Sequence, residues 1–176
     1  MSHTAPADRL TEDDFARLLE RERDVLRVVA AGEVGRSDAE DVVQDASIVA
    51  LGKLDAFRPG TDFRAWMVAF VRHTASNHRR ATGRRMRRRL RIARETRDAV
   101  HAEAGGAERL DARLVEAIDG LAPDQRVCLL LRVAMSLAYD QIGAALGIPA
   151  ATARSHVRRA RLRLLEMFPD GEVSDG

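Results

Sequence analysis

Apolar residues recur at intervals of three and four along most of the chain, and short polar stretches with Gly or Pro separate each run from the next. This is the period of amphipathic helices. Thr11 with Asp14 has capping-box spacing, and Phe15, Leu18, Leu19, Leu26 and Val29 then share one face of a helix closing near Ala30-Ala31-Gly32. Ser37 with Glu40 repeats that spacing. It predicts a helix from about Asp38 to Leu54, with Val42, Val43, Ala46, Val49, Ala50 and Leu54 inside and Asp41, Gln44 and Asp45 together on the other side. Phe57-Arg-Pro-Gly-Thr61 breaks the pattern as a turn, and Thr61 can cap a third helix carrying Phe63, Trp66, Met67, Phe70, Val71 and Thr74. From Gly83 to Asp111 the period weakens and Arg, Glu and Ala take over.

Beyond that stretch, Leu114, Ala117, Ile118 and Leu121 mark a helix, and Pro123 opens another whose core face is Val127, Leu130, Leu131 and Ala134. A short helix from Tyr139 then ends at Gly147, where a left-handed residue costs least, and Pro149 suits the start of the next. That last helix has Ala153, Val157, Ala160, Leu164 and Met167 in one stripe. Strand-like alternation is absent throughout. The expected fold is all-α: two small helical domains joined by an Arg-rich linker, the C-terminal one containing a helix-turn-helix. The expected divisions are a tail over 1–10, a first domain over 11–82, the linker over 83–109, a second domain over 110–168 and a tail over 169–176.

Composition narrows the class. Of 176 residues, 45% are hydrophobic, 32% charged and 4% aromatic, the balance of a helical globular protein. No run approaches the roughly 20 apolar residues of a membrane span. Met1 to Leu10 lacks the apolar core of a secretory signal, so a cytoplasmic protein is expected. Cys128 is the single cysteine; it permits no internal disulfide and reads as an inert core thiol. The five His are scattered, Asp41 and Asp45 have no further metal ligands near them in sequence, and no phosphate-binding Gly loop or nucleophile elbow occurs. Neither an enzyme, nor a metal, nor a cofactor is indicated.

Net charge is only +2, but its distribution is polarised: acids gather in the first third, and Arg dominates 79–97 and 154–163. Such polarity marks a phosphate-facing surface. On the last helix Thr152, Arg154, Ser155, Arg158, Arg159 and Arg161 lie off the apolar stripe, as on a helix that enters a DNA major groove. Phe57, Phe63, Trp66 and Phe70 suit a core, with Phe57 the candidate for exposure; beside Arg58, Arg64, Arg72 and Arg79 they also suit stacking of unpaired bases. By spacing alone, Asp41, Gln44 and Asp45 are accounted for by solvation and a helix N-terminus.

Three blocks together carry a family resemblance: Asp38-Ala-Glu-Asp-Val-Val-Gln-Asp45, Asp55-Ala-Phe-Arg-Pro-Gly-Thr-Asp-Phe-Arg-Ala-Trp66, and Leu121-Ala-Pro-Asp-Gln-Arg126 followed by Tyr139-Asp-Gln-Ile-Gly143 and Ala151-Thr-Ala-Arg-Ser-His-Val-Arg-Arg-Ala-Arg161. In this order, from about Phe15 to Phe168, the chain resembles the extracytoplasmic-function sigma factors, the two-domain minimal class of bacterial RNA polymerase sigma subunits. The resemblance implies that Asp41, Gln44 and Asp45 dock on the clamp helices of the polymerase β′ subunit, against the blander reading of those residues. It implies that Phe57, Arg58, Thr61, Trp66, His73, Asn77 and Arg80 capture the non-template strand of the minus-10 element, and that Thr152, Arg154, Ser155, Arg158 and Arg159 read the minus-35 element. The implied partners are core RNA polymerase, through the β′ clamp helices and β flap, promoter DNA and, as is common in the family, an anti-sigma factor. The Arg84–Arg97 stretch would thread toward the RNA exit path.

Several residues depart from the family pattern. Ser47 stands where an aromatic or large apolar residue is common, His73 where Asn is usual, Asn77 where Asp is frequent, Ala138 where Ser caps a helix, and Ala153 where Val is usual. These bear on promoter sequence more than on function. The alternative reading is a stand-alone helix-turn-helix regulator with an N-terminal interaction module.

Overall fold

The computed structural model describes residues 10–58, 60–93 and 106–168. The expected tails (Leu10 apart), the middle of the expected linker and Pro59 lie outside these residues. Among the described residues the structure is all-α. Its helices are α1 (Glu12–Val34), α2 (Ala39–Leu51), α3 (Phe63–Ala93), α4 (Gly106–Asp119), α5 (Pro123–Val133), α6 (Tyr139–Leu146) and α7 (Ala150–Met167), with a single 3-10 turn at Leu54–Ala56.

Local chemistry sets the boundaries. Thr11 Oγ1 accepts the Asp14 N–H at 3.1 Å and its hydroxyl donates to the Asp14 carboxylate at 2.6 Å, which caps α1 as expected. α1 continues past Gly32 to Val34 because Gly32 is helical and buried. The box expected at Ser37 does not form. Ser37 donates instead to the Asp38 carboxylate, while Glu40 pairs with Arg23 and Arg27 of α1 at 2.9 and 2.8 Å. A charged partner holds a carboxylate more strongly than a backbone amide does. α2 therefore starts at Ala39, and it stops at Leu51, leaving Leu54 in the 3-10 turn. Asp62, and not Thr61, caps α3: its Oδ1 accepts the N–H groups of Arg64 and Ala65 at 2.9 and 3.4 Å. α3 runs through position 83, where the linker was expected to begin, to Ala93.

α1, α2 and α3 pack on one another, burying Val25, Leu26, Val29, Val42, Val43, Met67, Val68 and Val71. Such side chains each contribute about 1.5–3 kcal/mol when fully buried. In the C-terminal half α5 packs against α7 and α6 through Val127, Leu131, Ile142 and Val157. The two halves do not stand apart. α5 also lies along α1, α6 touches α3, and the apolar core is continuous across both halves. This corrects the expected single core face of α5. Val127, Cys128, Leu129 and Leu131 are all buried, whereas Ala134 is exposed. A helix with neighbours on both sides is buried nearly all round.

The seam between the halves is tight. A Cβ on Gly32 would sit 2.6 Å from Val127 Cγ2 and 2.9 Å from its Cα, so only glycine lets α1 approach α5 this closely. Arg126, itself buried, donates from Nε to the Gly32 carbonyl at 2.6 Å and from Nη1 to the Asp119 carboxylate at 2.8 Å. Arg72 of α3 bonds to Asp124 at the start of α5.

Candidate nucleic-acid interface

Three surfaces hold the residues singled out in the sequence. The first is on α2. Ala39, Val42, Val43, Ala46 and Ala50 face the core, which turns Asp41, Gln44 and Asp45 into solvent on one side of the helix. The same side carries on to Ile48, 64% exposed, and Val49, expected in the core, is exposed as well. Ser47 turns its hydroxyl back onto the Val43 carbonyl at 2.8 Å and fills little space. A cavity of about 440 Å³ consequently opens between α1 and α2, lined by Leu19, Gln44, Ser47, Ile48 and Leu51 among others. Ile48 and Leu51 were missed as surface residues. The i,i+4 step from Gln44 to Ile48 was the available signal.

The second surface is the aromatic segment. Thr61 donates its N–H to the Arg58 carbonyl at 3.0 Å and Gly60 adopts φ 83°, which folds the loop back on itself. Phe57, the candidate for exposure among the four aromatics, is half-buried. Its ring meets Trp66 edge-on with centroids 5.2 Å apart and Phe63 at 6.1 Å; Trp66 meets Phe70 at 4.8 Å. Phe63 continues this cluster into the core against Phe15. Along α3, Trp66, Phe70, His73, Asn77 and Arg80 follow at steps of four, three, four and three, forming one stripe. Its outer residues His73, Asn77 and Arg80 are exposed, and the Asn77 amide lies 3.3 Å from His73 Nε2.

The other cations expected near the aromatics are engaged elsewhere. Arg64 Nε bonds to the buried Glu22 at 2.6 Å, and Arg72 and Arg79 converge on Glu33, whose exposure is only 2%. A carboxylate taken out of water must be paired, and these three arginines satisfy that demand. They tie α1 to α3. Of the four arginines considered for phosphates, Arg58 alone is without such a pairing among the described residues.

The third surface is the helix-turn-helix. Gly147, at φ 67°, ends α6 in the left-handed conformation, and α7 follows from Ala150, just after Pro149. Ala138 has no side chain to cap α6, but its N–H is taken by Gln141 Oε1 at 2.8 Å. Ala153, Val157 and Ala160 seat α7 on the core, while Arg154, Arg158 and Arg159 are exposed and Thr152 and Ser155 partly so. Ser155 donates to the Ala151 carbonyl at 2.9 Å, leaving its oxygen free to accept. The five residues do not form one cluster. Arg159 lines a concavity with Leu121, Gln125 and Glu166, around the helix from Arg154. Arg154 instead lies with its Cζ 5.2 Å from the Tyr139 ring centroid, and Arg132 reaches the same ring at 5.3 Å. Neither Tyr139 nor Arg132 was anticipated, because the contact crosses between three helices.

Among the described residues no three His, Cys, Asp or Glu side chains form a group able to hold a metal, and no helix is long and apolar enough to cross a membrane. Residues 18–85 match the Sigma-70 region 2 family and residues 111–164 match Sigma-70, region 4. The ECF RNA polymerase sigma factor SigC of Mycobacterium tuberculosis is 34% identical over 158 residues, 88% of this chain and 80% of that protein. The ECF RNA polymerase sigma-E factor of Escherichia coli K12 is 31% identical over 163 residues, 84% of this chain and 82% of that protein. The sigma factor RpoE of Bartonella quintana, solved in complex with the anti-sigma factor NepR, superposes with a TM-score of 0.56 at 28% identity, covering 91% of this chain and 99% of that one. CnrH, solved with the cytosolic domain of CnrY, has the same fold, with a TM-score of 0.60 at 22% identity over 92% of each chain.

Proposed function

The chain belongs to the extracytoplasmic-function sigma factors, initiation factors that take RNA polymerase to promoters, and we propose that it divides this work among the three surfaces just described. Asp41, Gln44 and Asp45 dock on the β′ clamp helices of core polymerase. The adjoining groove, left open by Ser47, receives an apolar side chain of that partner, and Ile48 extends the contact. Acidic side chains steer a basic partner, and the apolar groove supplies the desolvated centre of the contact.

The stripe on α3 takes the minus-10 strand. The observation that carries this assignment is its polarity: aromatic at Trp66 and Phe70 beside the Phe57 loop, and hydrogen-bonding or cationic at His73, Asn77 and Arg80. A base drawn out of the duplex costs a few kcal/mol of lost stacking. Stacking on a protein ring returns about 1–3 kcal/mol per base, so strand capture needs no ATP. Arg58 and Arg80 meet the phosphates, and Thr61 lies in the loop that closes over the base. On α7, Thr152, Arg154, Ser155 and Arg158 face the major groove of the minus-35 element, whereas Arg159 sits at the edge of that surface. The factor acts in the cytoplasm beside the nucleoid, it carries out no catalysis of its own, and region 4 meets the β flap. By likeness to the Bartonella protein, an anti-sigma factor is its expected regulator.

The test is Asp45→Arg. This exposed substitution should leave helicity and the unfolding midpoint unchanged and abolish co-purification with core polymerase. Unchanged co-purification removes the docking assignment. The stand-alone regulator reading makes the opposite forecast, namely specific binding to duplex DNA without polymerase.

A further inference from the structure

We infer that Tyr139, the first residue of α6, is a positioning residue for promoter recognition: its ring holds the Arg154 guanidinium in the orientation that reads a base. This inference rests on the assignment of α7 to the minus-35 element and adds to it a residue on another helix.

The geometry is that of a cation–ring contact built from three helices. Tyr139 is half-buried and packs against the core, so its ring is not free to swing. Arg132, in the last turn of α5, donates from Nη1 to the Leu137 carbonyl at 2.9 Å and places its Cζ 5.3 Å from the ring centroid. The carbonyl it bonds lies in the connection that leads into α6, where Ser136 takes a left-handed φ of 52°. Arg154, in the second turn of α7, places its Cζ 5.2 Å from the same centroid. Both distances fall within the range in which a cation is attracted to a ring face. Arg154 is exposed, and among the described residues no carboxylate pairs with it. The ring is the partner that holds it.

An exposed arginine samples many rotamers, and binding one geometry costs that freedom. A contact between the guanidinium and a ring face uses none of its N–H groups in a hydrogen bond, and among the described residues Arg154 donates to no other side chain or carbonyl. The N–H fork is the edge that pairs bidentately with O6 and N7 of guanine. Tyr139 therefore pre-orders Arg154 without consuming the donors that read the base. The two guanidinium groups beside one ring also concentrate positive charge at the first helix of the helix-turn-helix, the element that crosses the DNA backbone in such domains, so phosphate approach would relieve their mutual repulsion.

The test uses holoenzyme reconstituted with core polymerase. Open-complex formation is measured on a promoter selected by the wild-type protein and on versions with each minus-35 guanine replaced by adenine. The readout is the ratio between the two, which does not depend on the fraction of active protein. Tyr139→Phe keeps the ring and should keep the ratio within about twofold. Tyr139→Leu keeps apolar bulk but has no ring face, and should lower the ratio about threefold to tenfold at one guanine, in line with the usual strength of such a contact. In Arg154→Ala that discrimination should vanish, and adding Tyr139→Leu should then change nothing. Tyr139→Leu with an undiminished ratio, or Phe and Leu lowering it equally, overturns the positioning role. If Arg154→Ala itself leaves the ratio intact, the assignment of Arg154 as a base reader fails first, and the positioning role fails with it.

Discussion

Cys128 shows how a single residue can be read correctly in sequence while its setting is not. An apolar run around it implied an inert core thiol, and it is fully buried. What the run did not show is its neighbourhood: burial, with Asp124 adding to it, pushes the thiol up to about 11, and Arg72 from α3 opposes the shift. The fold thus favours the protonated thiol. Its contribution is fully present below the unfolded thiol range near 8.5 and is lost as pH rises toward about 11. Cys128 should therefore resist a thiol-specific disulfide reagent at neutral pH and react fully in denaturant. Rapid reaction of the native protein would contradict its placement. The arginines teach the complementary lesson. Arg64, Arg72 and Arg79 look identical in sequence to Arg58 and Arg80, yet buried Glu22 and Glu33 claim them. A glutamate on the inner face of α1 is visible in the helical period, but its partner on α3 is not.

At the scale of elements, helix identity was legible nearly everywhere and helix ends less so. Ends depend on which polar group wins a bond: at Thr61 the cap passes to its neighbour Asp62, whereas the Ser37 hydroxyl goes to Asp38, which itself bonds no backbone amide of α2. The entry to α2 is consequently built on carboxylates. Asp38 is held below the usual carboxylate range by bonds from Ser37 and His78, and Glu40 by bonding to Arg23. A depressed carboxyl stabilises the fold above its unfolded pKa of about 4 and loses that contribution as pH falls through its folded value. Stability measured by urea should decline below about pH 4, and Asp38→Asn with Glu40→Gln should flatten the decline. The helix-turn-helix hinges on Gly147 at φ 67°. Gly147→Ala forces a side chain into the left-handed region at a cost of about 1 kcal/mol, readable as a lower urea midpoint with α7 still helical.

At the scale of the molecule, the halves share a core. Trp66 lies in one half and Cys128 in the other, so indole fluorescence and thiol exposure report the two separately. In the native protein both should change in a single coincident transition. Gly32→Leu drives a side chain into Val127 and the α5 backbone, so the two transitions should come apart, with each half retaining its helices. A single unchanged transition would show that the seam tolerates the side chain. The seam also bears on function. A compact chain of this length has a radius of gyration of about 16 Å. Promoter elements some 25 base pairs apart lie about 85 Å from each other along the duplex. On the proposed assignments both readers cannot engage one promoter until α5 leaves α1, and bonds such as Arg126 to the Gly32 carbonyl must break when they do.

The sequence by itself determined that the chain is helical, most of the inner-face positions and the outward placement of Asp41, Gln44, Asp45 and Arg154, because these follow from a period of three to four residues within one helix, while the turn at Gly147 follows from the glycine itself. The tertiary structure alone decided which cations are spent on buried carboxylates, that the two halves close on one another at Gly32, and that the Arg154 guanidinium lies over the Tyr139 ring. Those contacts join residues on different helices, where periodicity carries no information about which face meets which.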